Sequence, residues 1–427
     1  MRLFGRSVSR HESPVVPEDE KTREKRSQKP WLAYLQGGPG GACPPPQTMP
    51  LTNIALDHGY QVLYLDQRGT GLSSPVTADT LALQGDAQKQ ADYLKHFRAD
   101  SIVKDFEAVR QTLTKDYPTE LKKWSLFGQS FGGFCSFTYL SHFPASLREV
   151  FTTGGVPPLK KPIDEVYKAT FATVARRNES YYAKFPEDVE HIQKLATYIQ
   201  GVGGVKLPAG GTLTVPRFLT IGLQFGAHGG IDNVHDVVLR MRSELDNLGF
   251  FSRPTLSAVE AATSFDDAVI YAVLHEVIYC ENGDTAGWSA ERVGKTLKDF
   301  GWLNGIPHGK PLLGGPPLYF SGEMIYPFMF DTSTELGKLE EVANILAHSS
   351  DWPDLYDMEQ LAANHVPVYA ASFVDDMYVD FQLVQDSLSK VKGVKQYITN
   401  TMYHDAVRSK SEELLRALFA LRDDVMD

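Results

Sequence analysis

Cysteine is scarce in this chain of 427 residues: Cys43, Cys135 and Cys280 are far apart and odd in number. No C-x-x-C pair occurs, so neither a disulfide framework nor a thiolate zinc site is expected, and reducing, cytoplasmic surroundings are. Long apolar runs are lacking as well. No stretch of about 18 apolar residues exists, so neither a spanning helix nor a membrane partner is expected. Arg2, Arg6 and Arg10 are followed by no apolar segment, which argues against a secretory signal. Basic charge is not in excess. The net charge of −11 and pI of about 5.6 argue against nucleic acid as a partner. His275-Glu276 starts like H-E-x-x-H, but the fifth residue is Tyr279, so the zinc reading fails. Neither a metal nor any other cofactor is expected.

What is present is ordinary for a globular protein: 42% apolar and 22% charged residues. A chain of this length buries a substantial core without staples. Residues 11–30 are rich in charge and proline and read as an exposed loop. Trp31–Gln36 is an apolar run stopped by Gly37-Gly38-Pro39-Gly40-Gly41, and Tyr60–Asp66 is a second, with a modest helical stretch between them. Both read as buried strands. Ser101–Leu113 has helical apolar spacing, with Asp100 or Ser101 as its cap. Trp124–Phe127 is a third strand, with Gly128 opening the next turn. Phe131–Phe143 reads as a helix and Glu149–Thr153 as a fourth strand.

This alternation predicts a parallel sheet with helices on both faces. After Pro157 the texture becomes helical, over Ile163–Arg177 and Glu187–Ile199, with glycine breaks at 201–204 and 210–211. Strand texture returns at Val366–Val374 and Lys395–Thr399, and an amphipathic helix spans about Ser411–Leu421. The expected division is a core in two parts, residues 1–156 and 361–427, around a mainly helical cap at 157–360.

Gly128-Gln129-Ser130-Phe131-Gly132 matches G-x-S-x-G between a predicted strand and a predicted helix. That context puts a nucleophilic serine on a strained turn, with small residues leaving room at both ends. The helix N-terminus favours developing negative charge there. The N–H of Phe131 is then one oxyanion donor. Gly38, in the glycine-rich loop after an early strand, is the candidate for the second, since glycine lets backbone approach a substrate closely. In this architecture the acid and then the histidine follow the serine along the chain. Asp375 and Asp376 end the strand Val366–Val374, and His404 follows the last strand. Order along the chain does not separate the two aspartates.

Gln36-Gly37-Gly38-Pro39-Gly40, Asp66-Gln67-Arg68-Gly69-Thr70-Gly71-Leu72-Ser73 and Gly128-Gln129-Ser130-Phe131-Gly132-Gly133, taken in order, resemble the proline iminopeptidase (prolyl aminopeptidase) family. The resemblance covers about residues 30–155 and 363–427 and extends more loosely into the cap. It implies the α/β-hydrolase fold and a serine aminopeptidase releasing N-terminal proline, acting on peptides with a free N-terminus. Val374-Asp375-Asp376-Met377 matches the family's strand end best with Asp376 as the acid. The resemblance also implies cap glutamates that bind the substrate ammonium. Glu276, in Glu276-Val-Ile-Tyr279, and Glu323, in Gly322-Glu323-Met324-Ile325-Tyr326-Pro327, are the candidates, with Glu281 and Asp284 nearby. Two carboxylates on one ammonium select a charged N-terminus over a blocked one.

There are departures from the family pattern. Gln36 stands where the family has His, and Phe131 where many members have Trp. Relatives carry strands ahead of the Gly-Gly-Pro-Gly strand, whereas only residues 1–30 precede Trp31 here, so a shortened sheet lacking an edge is expected. Asp66 and Arg68 are expected to brace their loop; the third glycine of a dinucleotide fingerprint is missing. Tyr271, Tyr279, Tyr319, Phe320 and Tyr326 are candidates for a small apolar pocket. The competing readings are an esterase or broader aminopeptidase on the same scaffold, which in the esterase case has no need of the two glutamates, and a non-catalytic hydrolase-like binding protein.

Overall fold

In the computed structural model, which describes residues 1–10, 19–21, 28–306 and 312–424, the apolar runs of the first 155 residues become strands, and one further strand precedes them. These are β1 (Phe4–Val8), β2 (Trp31–Leu35), β3 (Gln61–Asp66), β4 (Trp124–Gln129) and β5 (Leu147–Thr153). A hairpin of β6 (Val205–Lys206) and β7 (Thr212–Leu213) stands apart, and β8 (Val368–Phe373) and β9 (Val394–Thr399) close the series. The main sheet has seven strands in the order β1-β3-β2-β4-β5-β8-β9. Every neighbouring pair is parallel except β1 with β3. The centre of the sheet is sealed on both faces, since all residues of β2, β3 and β4 are buried. This is why those strands read as continuous apolar runs rather than alternating ones.

The period of two sorts these residues onto two cores. Trp31, Ala33 and Leu35 pack with Phe106, Phe134, Phe137 and Val384 on one face, under the helices Ala99–Leu113, Phe131–His142 and Phe381–Leu388. Leu32 and Tyr34 point the other way, toward Leu51, Leu415 and Phe419 of the helices Pro50–Asp57 and Ser411–Asp423. A third core fills the long segment between β5 and β8 and takes in Val76, Leu81, Leu94 and Phe97 from before it. That segment is built largely on the helices Ile163–Lys184, Asp188–Gly201 and Gly230–Leu248, and its glycine breaks become the β6–β7 hairpin. No described helix is long and apolar enough to cross a membrane.

Three sequence expectations change. The sheet does have a strand ahead of Trp31: β1 lies antiparallel on β3, with Phe4 opposite Asp66 and Val8 opposite Val62. It is short and only half-buried, so its apolar signal is weak. The helix expected from Ser101 begins at Ala99. Its cap is Arg98, without a side-chain capping bond, and neither Asp100 nor Ser101 caps it. The turn expected at Gly128 begins two residues later, because β4 runs through Gln129. The stretch 11–30 lies mostly outside the described residues.

Candidate active site

At the end of β4 the backbone of Ser130 turns to φ 54° and ψ −126°. A non-glycine residue avoids this conformation unless its surroundings enforce it. Here Ser130 N–H donates to the Thr153 carbonyl at 3.0 Å, and the Ser130 carbonyl accepts from Gly133 N–H at 2.7 Å. The helix Phe131–His142 then packs so closely on β2 that a Cβ at Gly132 would overlap the Leu35 carbonyl oxygen. Sharp turn and close packing together hold the serine hydroxyl out at the end of the sheet.

His404 and Asp376 complete a hydrogen-bonded series. Ser130 Oγ lies 2.9 Å from His404 Nε2. His404 Nδ1 lies 2.9 Å from Asp376 Oδ2 and 3.1 Å from Oδ1. Asp376 Oδ1 also accepts from the N–H groups of Tyr378 at 2.9 Å and Val379 at 3.0 Å, which fixes the carboxylate. With the Nδ1 proton held by Asp376, Nε2 is the atom free to take the serine proton. Asp375, at the same strand end, makes no contact in this series and is half-buried. All three members are enclosed, with 8% of Ser130, 6% of His404 and 2% of Asp376 exposed. Burial alone lowers the His404 pKa, but the charges of Asp376, Glu323 and Asp405 outweigh it and the net shift is upward.

The glycine-rich loop after β2 lies against Ser130. A Cβ at Gly37 would stand 2.9 Å from Ser130 Cβ and 2.5 Å from Gln129 Oε1. Gly38 follows at φ 127°, and Phe131 opens the helix beside it. The loop is tied down by Gln67 Nε2, which donates to the Gln36 carbonyl at 3.0 Å. Asp66 accepts from Cys43 and Leu72 N–H, each at 2.9 Å, and Arg68 makes a bidentate pair with Asp105 at 2.7 Å. Both residues brace loops, as their positions suggested.

The two glutamates approach from the helical segment. Tyr271 Oη donates to Glu323 Oε1 at 2.7 Å, and Tyr271 stacks on His275. Glu276 is buried and accepts from Ala290 N–H at 2.8 Å and Ser289 N–H at 3.2 Å. Burial pushes its carboxyl up to about 8, against the lowering effect of those N–H groups. Tyr279 is enclosed, edge-on to Tyr167 and His275; burial, and then the charges of Glu323, Asp376 and Glu276, raise its pKa. Glu281 is occupied elsewhere, by Lys160 Nζ at 2.8 Å and Leu355 N–H at 2.9 Å. Asp284 accepts from Glu281 N–H.

Comparison with known proteins shows the family. The sequence profile described as the alpha/beta hydrolase fold matches residues 30–193. A proline iminopeptidase of Aspergillus aculeatus is 47% identical over all of this chain and 90% of its own. A proline iminopeptidase of Aeromonas sobria is 41% identical over 96% of this chain and 93% of its own. The chain belongs to the proline iminopeptidase family.

Of the five aromatic residues expected at an apolar pocket, Tyr271 hydrogen-bonds Glu323, and Tyr279 packs against Phe134, Tyr167 and His275. Tyr326 hydrogen-bonds Ser321 at 2.7 Å. Phe320 is packed among Tyr181, Phe218 and Phe225, and Tyr319 stacks on Tyr182, so both serve the helical core. Sequence reasoning missed Tyr378, which clamps Asp376 through its N–H and lays its ring edge-on to His404 at 4.7 Å. Tyr167 is a buried residue of the helical core, edge-on to Tyr279, whose pKa is raised by burial and then by Glu276, Tyr279 and Glu323. Neither carries a motif; a tyrosine two residues past an acid looks like any other.

Proposed function

We propose that this proline iminopeptidase homologue is a serine aminopeptidase that releases N-terminal proline from peptides through an acyl-enzyme. The observation that carries the reading is the series Ser130 Oγ, His404 Nε2, His404 Nδ1 and Asp376, each step at 2.9 Å. Ser130 attacks the carbonyl of the first residue and passes its proton to His404. Asp376 holds the imidazole in the right tautomer and stabilises the imidazolium. The Phe131 and Gly38 N–H groups face the developing oxyanion. His404 then protonates the departing peptide amine, and water repeats the sequence on the ester. Glu276 and Glu323 hold the substrate ammonium, which fixes the scissile bond one residue from the N-terminus. Residues 157–360 act as the cap that carries them.

The family relationship supports the proline substrate, and the carboxylate pair supports the requirement for a free amine. The test is hydrolysis of proline-β-naphthylamide beside its N-acetylated form and a p-nitrophenyl ester, with Ser130→Ala as control. Turnover of the free-amine substrate alone, abolished in Ser130→Ala, is expected. Cleavage of the ester but not the amide would overturn the substrate assignment. Unchanged activity in Ser130→Ala would overturn the mechanism.

A further inference from the structure

The loop carrying His404 is gripped by the helical segment as well as by the sheet. His404 N–H donates to the Gly226 carbonyl at 3.2 Å. One residue later, Asp405 Oδ1 accepts from His228 N–H at 3.0 Å and meets His228 Nδ1 at 2.6 Å. Ser409 Oγ reaches the same ring nitrogen at 2.7 Å. One residue earlier, Tyr403 lies under the Arg177 guanidinium at 4.6 Å, and Arg177 donates to the Phe225 carbonyl at 2.9 and 3.2 Å. Tyr378, from the acid's loop, donates to the Leu223 carbonyl. Its ring lies so close to Gly226 that a Cβ there would overlap it. Residues 223–228 therefore touch both loops that carry the serine's partners.

We propose that His228 and Asp405 form a second histidine–aspartate pair that positions the catalytic histidine by locking its loop to residues 225–228. The inference rests on reading His404 as the general base. His228 and Asp405 are positioning residues: they touch neither Ser130 nor the reacting atoms. The physical reason for a lock is geometric. β9, which leads into the His404 loop, is an edge strand and only partly buried, so the sheet alone restrains this loop weakly. Displacing a base by about 1 Å costs on the order of 100-fold in rate. A lock of this kind makes the segment around 225–228 part of the catalytic machinery, beyond its contribution to binding.

The test uses the full chain. Two rates are read for His228→Ala, Asp405→Ala and Asp405→Asn: kcat on proline-β-naphthylamide, and the rate of Ser130 labelling by a fluorophosphonate. Labelling needs an oriented histidine but no proline recognition, so it separates failure of this proposal from failure of the substrate reading. Absence of labelling in Ser130→Ala checks the nucleophile. Both alanine variants are expected to lose about 10–100-fold in kcat and in labelling, with KM within about threefold. The double alanine variant is expected to be no worse than either single one. Asp405→Asn keeps the acceptor oxygen and should recover most of the rate. It also removes one of the charges facing His404, the others being Asp376 and Glu323, with Tyr378 and, through Tyr403, Arg177 alongside. The acidic limb of kcat/KM should therefore move to lower pH. Rates within twofold of wild type in both alanine variants would overturn the proposal, as would a loss that Asp405→Asn does not recover.

Discussion

Asp376 and Asp375 differ by one position and by everything that surrounds them. Only Asp376 faces His404, and its carboxylate also receives the N–H groups of Tyr378 and Val379. Replacing it by Asn keeps the shape but removes the charge and one acceptor oxygen. Asp376→Asn is expected to lower kcat by about 10⁴-fold with unchanged circular dichroism, whereas Asp375→Asn should stay within a few-fold of wild type. A second residue-scale prediction concerns Tyr271, whose hydroxyl orients Glu323. Tyr271→Phe removes one hydrogen bond to a charged group, worth about 1.5–3 kcal/mol. KM for a free-amine substrate should rise about 10–100-fold while kcat changes little. An equal fall in kcat would mean that Tyr271 acts on the reacting atoms instead.

At the scale of elements, the strand–turn–helix unit at Ser130 depends on how closely the helix Phe131–His142 approaches β2. Gly132→Ala would drive a methyl group into the Leu35 carbonyl. The expected outcome is a loss of about 1–3 kcal/mol or more, read as a lower Tm, together with loss of activity as the turn shifts. The turn Glu276–Tyr279 carries a different liability. Between the ordinary carboxylate value of 4.5 and about 8, the unfolded chain gives up the Glu276 proton while the folded protein keeps it. Protons are then bound by the native state in excess, so stability falls as pH rises through that window. The Tm of the wild type should drop more steeply than that of Glu276→Gln between those two values. Over the same range KM for the free-amine substrate should fall in the wild type, because the ionised carboxylate is the form that pairs with ammonium. Flat profiles in both proteins would remove Glu276 from the amine site.

For the molecule as a whole, the question is how the helical segment stays in register with the sheet. Arg98 supplies one bolt: it is 2% exposed, donates through Nη2 to the carbonyls of Val277 at 2.9 Å and of Cys280, and lies 4.6 Å over the Trp352 ring. Ile270 supplies another, wedged against Gly40 of the glycine-rich loop after β2 and Gly69 of the Asp66–Ser73 loop. The Glu276 turn thus sits between two attachments to core loops. Arg98→Met keeps apolar bulk but takes the donor from the buried Cys280 carbonyl, whereas Val277 retains the Cys280 N–H, so the cost is about 1–3 kcal/mol. Hydrogen exchange is expected to quicken over residues 276–290 while the central strands remain protected. Uniform acceleration would mean that Arg98 supports the whole fold rather than this junction.

The sequence alone determined the alternation of strands and helices, and it placed the candidate nucleophile and its candidate partners in order along the chain. Each of these is local: an apolar run between glycine breaks, or a glycine-flanked serine where a strand meets a helix. The family was legible for the same reason, since its three loop motifs are contiguous in the chain. Other features were decided only by the tertiary structure. β1 was invisible because a half-buried edge strand needs little apolar pattern. Asp376 parted from Asp375 in space only because one carboxylate turns inward to a histidine 28 residues later. The partners of Glu276 and Glu323, the clamp of Tyr378 on the acid and the grip of residues 225–228 on the His404 loop all join residues far apart in sequence. Contacts of that kind are set by how three cores pack together, and no local spacing encodes them.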